Sequence, residues 1–297
     1  MPDVQSTLGR IPLFAGRSLA GVIVEPLASL TNRTYRITLD GERYVLRIAG
    51  AGTERYIDRK AELRNATLAA AIGIAPEILY FDPEDGTMLT RFIVGSMALD
   101  AARLREPATL QAVAQALRCL HGSSLPFAGE MHLFPKVDEY MALLDERIGE
   151  ETGLTEARAR MESLRSRFER DAAPFVPCHI DPSPANFLAS GAAPSIHLID
   201  WEYAALGEPA WDLAGLSIEA GFGAAEDRAV LAAYYGRPTA PDIARFGLHR
   251  VLLRIVAASW AAAHAADAPE PESLMTMARQ RVSEFHAGID TLPAGAA

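Results

Sequence analysis

Residues 178–202 read CHIDPSPANFLASGAAPSIHLIDWE, a stretch in which two strand-like runs each lead into a carboxylate. His179, Asp181 and Asn186 form HxDxxxxN after the apolar Phe175 and Val176, and the run 196–199 ends on Asp200. A lone aspartate or asparagine in a loop is an ordinary turn former. Two carboxylates, each following a strand-like run, with an amide between them, make a set of hard oxygen donors suited to Mg²⁺.

Transfer of a phosphoryl group from a metal-bound nucleotide needs such a set: a carboxylate to orient the attacking hydroxyl, and an amide oxygen plus a second carboxylate to hold Mg²⁺ against the phosphates. Asp181 takes the first role; Asn186 and Asp200 take the others. His179 is read as scaffolding, because a histidine beside such a loop more often bonds backbone than moves protons. The order and spacing match the catalytic and metal-binding segments of the protein-kinase signature, which implies ATP as cosubstrate and Mg²⁺ as cofactor.

With 297 residues, 49% of them hydrophobic, the chain can bury a sizeable core as two lobes or two modest domains. Its formal net charge of -10 disfavours nucleic acid and anionic membranes as partners and suits a cationic substrate. The two cysteines, Cys119 and Cys178, form no metal or disulfide pattern, so a reducing cytoplasm is the expected home. The opening MPDVQSTLGRIPLFAG is a poor signal peptide, and the Ala-rich stretch 255–266 is broken by Ser259, Trp260 and His264, so no membrane insertion is expected.

Alternation of Tyr35, Ile37 and Leu39 with Thr34, Arg36 and Thr38, then Asp40-Gly41, then Tyr44, Leu46 and Ile48, predicts a hairpin. Val45 and Arg47 fall on its other face, where a cation can reach nucleotide phosphates. A helix is expected over 59–72, with Leu63, Ala66 and Ala69 or Ala70 as its apolar stripe and Gly73 to end it. Strands over 77–81 and 87–93 follow, joined by a turn at 82–86. Beyond residue 100 the period becomes helical: Leu110, Val113, Ala114, Leu117 and Leu120 share a face, as do Val137, Tyr140, Met141, Leu144 and Ile148. Further helices are predicted over 209–220, 225–235, 241–266 and 271–288, before a frayed tail.

CHIDPSPANFL followed by HLIDWEYAALGEPAWDLAGLSIEAGF resembles the choline/ethanolamine kinase branch of the aminoglycoside phosphotransferase family. LTNRTYRI, YVLRIAG, RKAELRNATLAAAIGIAPEILYF and MLTRFIVG resemble that family's nucleotide lobe, in order. The resemblance implies an α+β, protein-kinase-like bilobal fold: a small β-rich N-lobe with one main helix over 1–95, and a larger, mainly helical C-lobe over 96–297. It implies ATP-dependent phosphorylation of a small cationic amino alcohol, choline or ethanolamine. An aminoglycoside, a sugar-like alcohol or thiamine are the alternative acceptors, and a nucleotide-binding pseudokinase is the alternative without turnover.

Neither a Walker A sequence nor a kinase glycine-rich loop is present. Ser29, Thr31 and Asn32, with backbone N–H groups, are the candidate phosphate-coating groups. Arg47 stands where a protein kinase carries lysine, as the resemblance implies, and its donor fork suits phosphate oxygens. Glu62 is the candidate partner for Arg47, with Glu54 and Asp58 as alternatives, and Phe92 and Ile93 lie where the family lines its adenine pocket. Asp212 is implied to brace the catalytic loop and Glu219 to face the acceptor's cationic nitrogen.

A quaternary ammonium has no hydrogen to donate, so aromatic faces must help, at about 0.5 to 2 kcal/mol each. Trp211, Tyr203, Phe222, Tyr234, Tyr235 and Trp260 are candidates, and Trp260 is preferred because the family draws an aromatic wall from a late helix. HRVLLRIVAASWAAA carries one tryptophan where choline-specific members carry a richer aromatic pair, which keeps ethanolamine open.

Overall fold

The hairpin turn Asp40-Gly41 has both residues at positive φ, 52° and 80°, the conformation whose twist matches paired antiparallel strands. It joins β2 (Arg33–Leu39) to β3 (Glu42–Ile48) within a five-stranded antiparallel sheet of order β1-β2-β3-β5-β4. The other strands are β1 (Ile23–Leu27), β4 (Ile78–Phe81) and β5 (Met88–Arg91). The computed structural model describes residues 2–29, 32–50, 56–268 and 270–292.

Alternation divides the sheet as expected. Ile37, Leu39, Tyr44, Leu46, Ile48 and Leu89 are buried on one face, where they meet Val4, Leu8, Ile11 and Phe14. Those last residues come from α1 (Pro2–Arg10) and the turn after it, which cover the sheet's outer face. Neither α1 nor β1 was anticipated from sequence. Val4, Leu8 and Ile11 have helical spacing, but the segment is short; β1 contains Pro26, which a strand tolerates only at an edge, its position here.

Between β3 and β4 lies α2 (Arg59–Ala71), capped by Asp58, whose carboxylate accepts the N–H groups of Lys60 and Ala61 at 3.0 Å. Asp58 is therefore a helix cap and not the partner of Arg47. The buried face of α2 also differs from the apolar stripe expected: Arg59, Glu62, Asn65, Ala66 and Ala69 are buried, while Leu63 is half-buried. Polar residues occupy that face because it borders the cleft. The Asn65 amide donates to the Ala128 and Ala204 carbonyls and accepts the Ala128 N–H at 2.7 Å, tying α2 to the helical lobe.

The chain then passes through β6 (Met97–Ala98) into α3 (Ala101–Leu104), α4 (Pro107–His121), α5 (Leu133–Met141), α6 (Glu146–Thr152), α7 (Leu154–Glu162) and α8 (Arg165–Arg170). Leu110, Val113, Ala114, Leu117 and Leu120 of α4 are all buried, each leucine worth roughly 1.5 to 3 kcal/mol. The single face expected from Val137 to Ile148 is instead split, because α5 ends at Met141 and Asp145 caps α6.

Two small sheets carry the catalytic stretch: β7 (Val176–Cys178) pairs with β10 (Ala205–Gly207), and β8 (Phe187–Ser190) lies between β6 and β9 (Ser195–Leu198). Behind them stand α9 (Pro209–Glu219), α10 (Ala224–Tyr235), α11 (Ala240–His264) and α12 (Pro271–Ile289). At 25 residues α11 has the length and apolar composition to cross a bilayer. It packs against α5, α9 and α12, and its buried Arg245 pairs with Glu208 through both carboxylate oxygens.

Candidate active site

Ile180 holds φ at +71°, a conformation costing a β-branched residue about 1–3 kcal/mol. Its surroundings fix it there. The Asp212 carboxylate, at the start of α9, accepts the N–H groups of His179 and Ile180, each at 2.8 Å, and Trp211 Nε1 donates to the Ile180 carbonyl at 2.9 Å. One turn on, α9 carries Gly215, where a Cβ would lie 2.8 Å from Pro182; only glycine lets the helix pass this close beneath the loop. Burial disfavours charge on Asp212, but its bonds from His121 and the His179 N–H outweigh this and hold its pKa below the usual carboxylate range.

His179 is fully buried and its Nε2 bonds the Ile199 carbonyl at 2.9 Å; burial lowers its pKa and keeps the ring neutral. It lies edge-on to Trp201, with ring centres 4.8 Å apart. These contacts link the loop after β7 to the segment after β9. The Ile199 N–H donates to the Asn186 carbonyl at 3.0 Å, and Asp200 follows with φ at +64°.

That linkage brings Asp181, Asn186 and Asp200 together. Asn186 Nδ2 donates to the Asp181 carboxylate at 2.9 Å and to its carbonyl at 3.0 Å, which leaves Oδ1 as the atom able to bind a cation. Burial, then the nearby charge of Glu219, pushes the Asp181 carboxyl up to about 6. Asp200 is likewise raised by burial, against the opposing pull of Arg47, and the charge of Asp181 adds to the effect. Half-buried carboxylates that repel one another, with an amide oxygen beside them, fit a divalent hard cation.

Arg47 projects from β3 on the face opposite the sheet's core and is held by a short contact to Glu62, deep in the interior. Its Nη1 stands 3.4 Å from Asp200 and 3.9 Å from Glu202, and its Nη2 donates to the Gly86 carbonyl at 3.3 Å. Burial opposes the charge on Arg47, but the attraction of Glu62, Asp200 and Glu202 holds its pKa above the usual arginine value. Arg59 completes the group, bonding Glu62 at 2.7 Å and Glu202 at 3.3 Å.

Glu202 and Arg59 were not singled out from sequence. Arg59 lies one helical turn before Glu62, and Glu202 lies two residues after Asp200. Oxygens of Glu62, Asp200 and Glu202 lie within 4.8 Å of one another, so Glu202 is a further candidate metal ligand. Asn32 reaches the same group, 3.5 Å from the Glu202 carboxylate, while accepting the Gly50 N–H. Ser29 is exposed; Thr31 and the alternative partner Glu54 lie outside the described residues. Phe92 and Ile93 lie between β5 and β6: the Phe92 N–H donates to the Arg43 carbonyl, and the Ile93 carbonyl accepts from Ser96.

Glu219, at the end of α9, acts electrostatically on Asp181 and is paired with Arg281 of α12 at 3.1 Å. Trp260, on α11, donates to the Tyr203 hydroxyl at 3.0 Å and stacks on His264 with ring centres 4.9 Å apart. Tyr56 and Tyr140 meet the same His264 ring edge-on, at 4.3 and 5.9 Å. The charges of Asp181 and Glu202 act on Tyr140 and Tyr203 respectively, so this aromatic group borders the carboxylates.

The other aromatic candidates do different work. Trp211 braces the loop, Tyr234 bonds His121 at 2.7 Å, and Phe222 stacks under Arg105. Tyr235 lies edge-on to Tyr234. Tyr140 went unread as a site residue because its spacing from Val137 is that of an ordinary core stripe.

The chain as a whole resembles known proteins. Residues 24–235 match the family model described as choline/ethanolamine kinase. Protein LicA of Haemophilus influenzae is 30% identical over 199 residues, which make up 65% of this chain and 57% of that relative, so the match spans little over half the relative's length. Among solved structures, a choline/ethanolamine kinase family protein from Mesorhizobium loti superposes with a TM-score of 0.83 at 28% identity, covering 98% of this chain and 95% of the other. LicA in complex with AMP superposes with a TM-score of 0.79 at 24% identity, covering 94% and 97%; this is a likeness of fold.

Proposed function

The chain belongs to the choline/ethanolamine kinase family, and from that premise we propose that it transfers the γ-phosphoryl group of ATP to the hydroxyl of a small cationic amino alcohol, choline or ethanolamine. One observation carries the reading. Asp181 bonds Asn186 and interacts electrostatically with Asp200, with Glu219 and with Tyr140, a member of the aromatic group that also holds Tyr203 and Trp260. In this reading residues 1–95 hold the nucleotide and residues 96–297 supply catalysis and the acceptor site.

Asp181 orients the acceptor hydroxyl and accepts its hydrogen as the oxygen attacks the γ-phosphorus. The new O–P bond forms as the bond to ADP breaks, with no covalent enzyme intermediate. Asn186 and Asp200, with Glu202 nearby, would hold Mg²⁺, which when bound neutralises phosphate charge. Arg47, kept in place by Glu62, binds phosphate oxygens with its donor fork. The acceptor's cationic nitrogen lies against the aromatic faces and the negative potential of Glu219. The AMP complex of LicA supports an adenine nucleotide as donor.

The test is ADP release with Mg²⁺ and ATP across choline, ethanolamine, thiamine and a panel of aminoglycosides. Selective release with choline or ethanolamine is the expected outcome. Release only with polyamine sugars would reject the acceptor.

A further inference from the structure

Resting on that reading, we propose that Arg281 sets acceptor selectivity: it is an internal cation that competes with the substrate's ammonium for Glu219. Three observations carry this. Glu219 ends α9, where the helix dipole is negative and a carboxylate needs a nearby cation. The structure supplies one from α12: Arg281 Nη2 lies 3.1 Å from Glu219 Oε1.

Arg281 also has a second partner, because its Nη1 lies 3.1 Å from Glu284 Oε2, one turn further along the same helix. Glu284 is held in turn by Arg254 of α11 at 3.2 Å. Arg281 can therefore release Glu219 and stay paired. The carboxylate that faces the acceptor is thus already paired in the free enzyme, and a quaternary or primary ammonium gains from Glu219 only what it adds over Arg281. This weakens the response to charge and gives proportionally more weight to the shape of the aromatic group around Trp260.

The experiment uses the full chain, with KM for choline measured beside KM for ATP, and with the neutral carbon isostere of choline measured as a competing inhibitor. Arg281→Met keeps the aliphatic stem and removes the charge. It is expected to lower KM for choline by roughly two- to five-fold, the range typical of a partly exposed ion pair, and to leave KM for ATP and the isostere's inhibition constant unchanged. Arg281→Lys should stay near the parent. Glu284→Gln, which removes the alternative partner, should shift KM for choline the opposite way.

An unchanged or raised KM in Arg281→Met, or an equal shift for the neutral isostere, overturns the proposal. If the parent enzyme turns over no amino alcohol, the underlying functional reading fails instead, and this inference with it.

Discussion

Arg47 Nη1 and the Asp200 carboxylate stand 3.4 Å apart across the cleft, one carried by the five-stranded sheet and the other by the segment after β9. In the proposed reaction, the cation that would bind phosphate sits among the carboxylates that would hold metal. Arg47→Met should raise KM for ATP by at least about ten-fold, the factor for losing about 1.4 kcal/mol, while changing KM for the acceptor far less. Arg47→Lys should fall between, because it keeps the charge and loses the fork. Initial-rate kinetics with each substrate varied in turn check both.

Asp181→Asn should separate activity from stability. Turnover should drop by orders of magnitude, since the hydroxyl loses its hydrogen acceptor. Folding raises the Asp181 pKa from 3.8 to about 6, so the ionised group opposes folding. That penalty is absent below 3.8, grows as pH rises to about 6, and is constant above. At pH 7.5 the substitution should therefore add about 1 to 3 kcal/mol of stability, read as a higher urea midpoint with little effect at pH 4.

Removing the brace beneath the loop should cost both properties. Asp212→Ala leaves two buried N–H groups without their acceptor and frees Ile180 to leave its strained conformation. A stability loss of about 3 kcal/mol or more is expected, with kcat falling by more than ten-fold in the protein that remains folded. Thermal unfolding and turnover on the same preparation measure the two effects.

Stability should fall in mild acid, and His249 should be one reason. Burial against Arg245 and Phe168 depresses its pKa from 6.5 to about 4. The unfolded chain then takes up a proton that the folded one refuses. The folded state keeps its full stability above pH 6.5 and loses it as pH falls towards 4, by at most about 3 kcal/mol from this residue. His249→Leu should flatten the fall in urea midpoint between pH 7 and 4.5, leaving the parallel contribution of the buried His179.

The residues readable from sequence are those whose role depends on neighbours in the chain. HxDxxxxN and the run into Asp200 declare themselves because each pairs a short strand with a polar loop, and Arg47 because alternation puts it opposite Tyr44, Leu46 and Ile48. Asp58 belongs to the same class, since a capping aspartate precedes a helix by rule, and the structure shows that cap in place of an ion pair with Arg47. Relationships between distant segments were not legible. Asn65 meets Ala204 139 residues away, and Arg281 meets Glu219 across 62. Tyr140 has the spacing of a core residue and is also a neighbour of Trp260 through His264. The covering helix α1 and edge strand β1 were missed because each is short and irregular in pattern.

The most direct measurement is identification of the product after incubation with Mg²⁺, ATP and an equimolar mixture of choline, ethanolamine, thiamine and an aminoglycoside. Formation of phosphocholine or phosphoethanolamine by the parent protein, and of neither by Asp181→Asn, is the predicted result. A phosphorylated aminoglycoside or thiamine as main product, or equal product from the Asp181→Asn protein, would contradict the account.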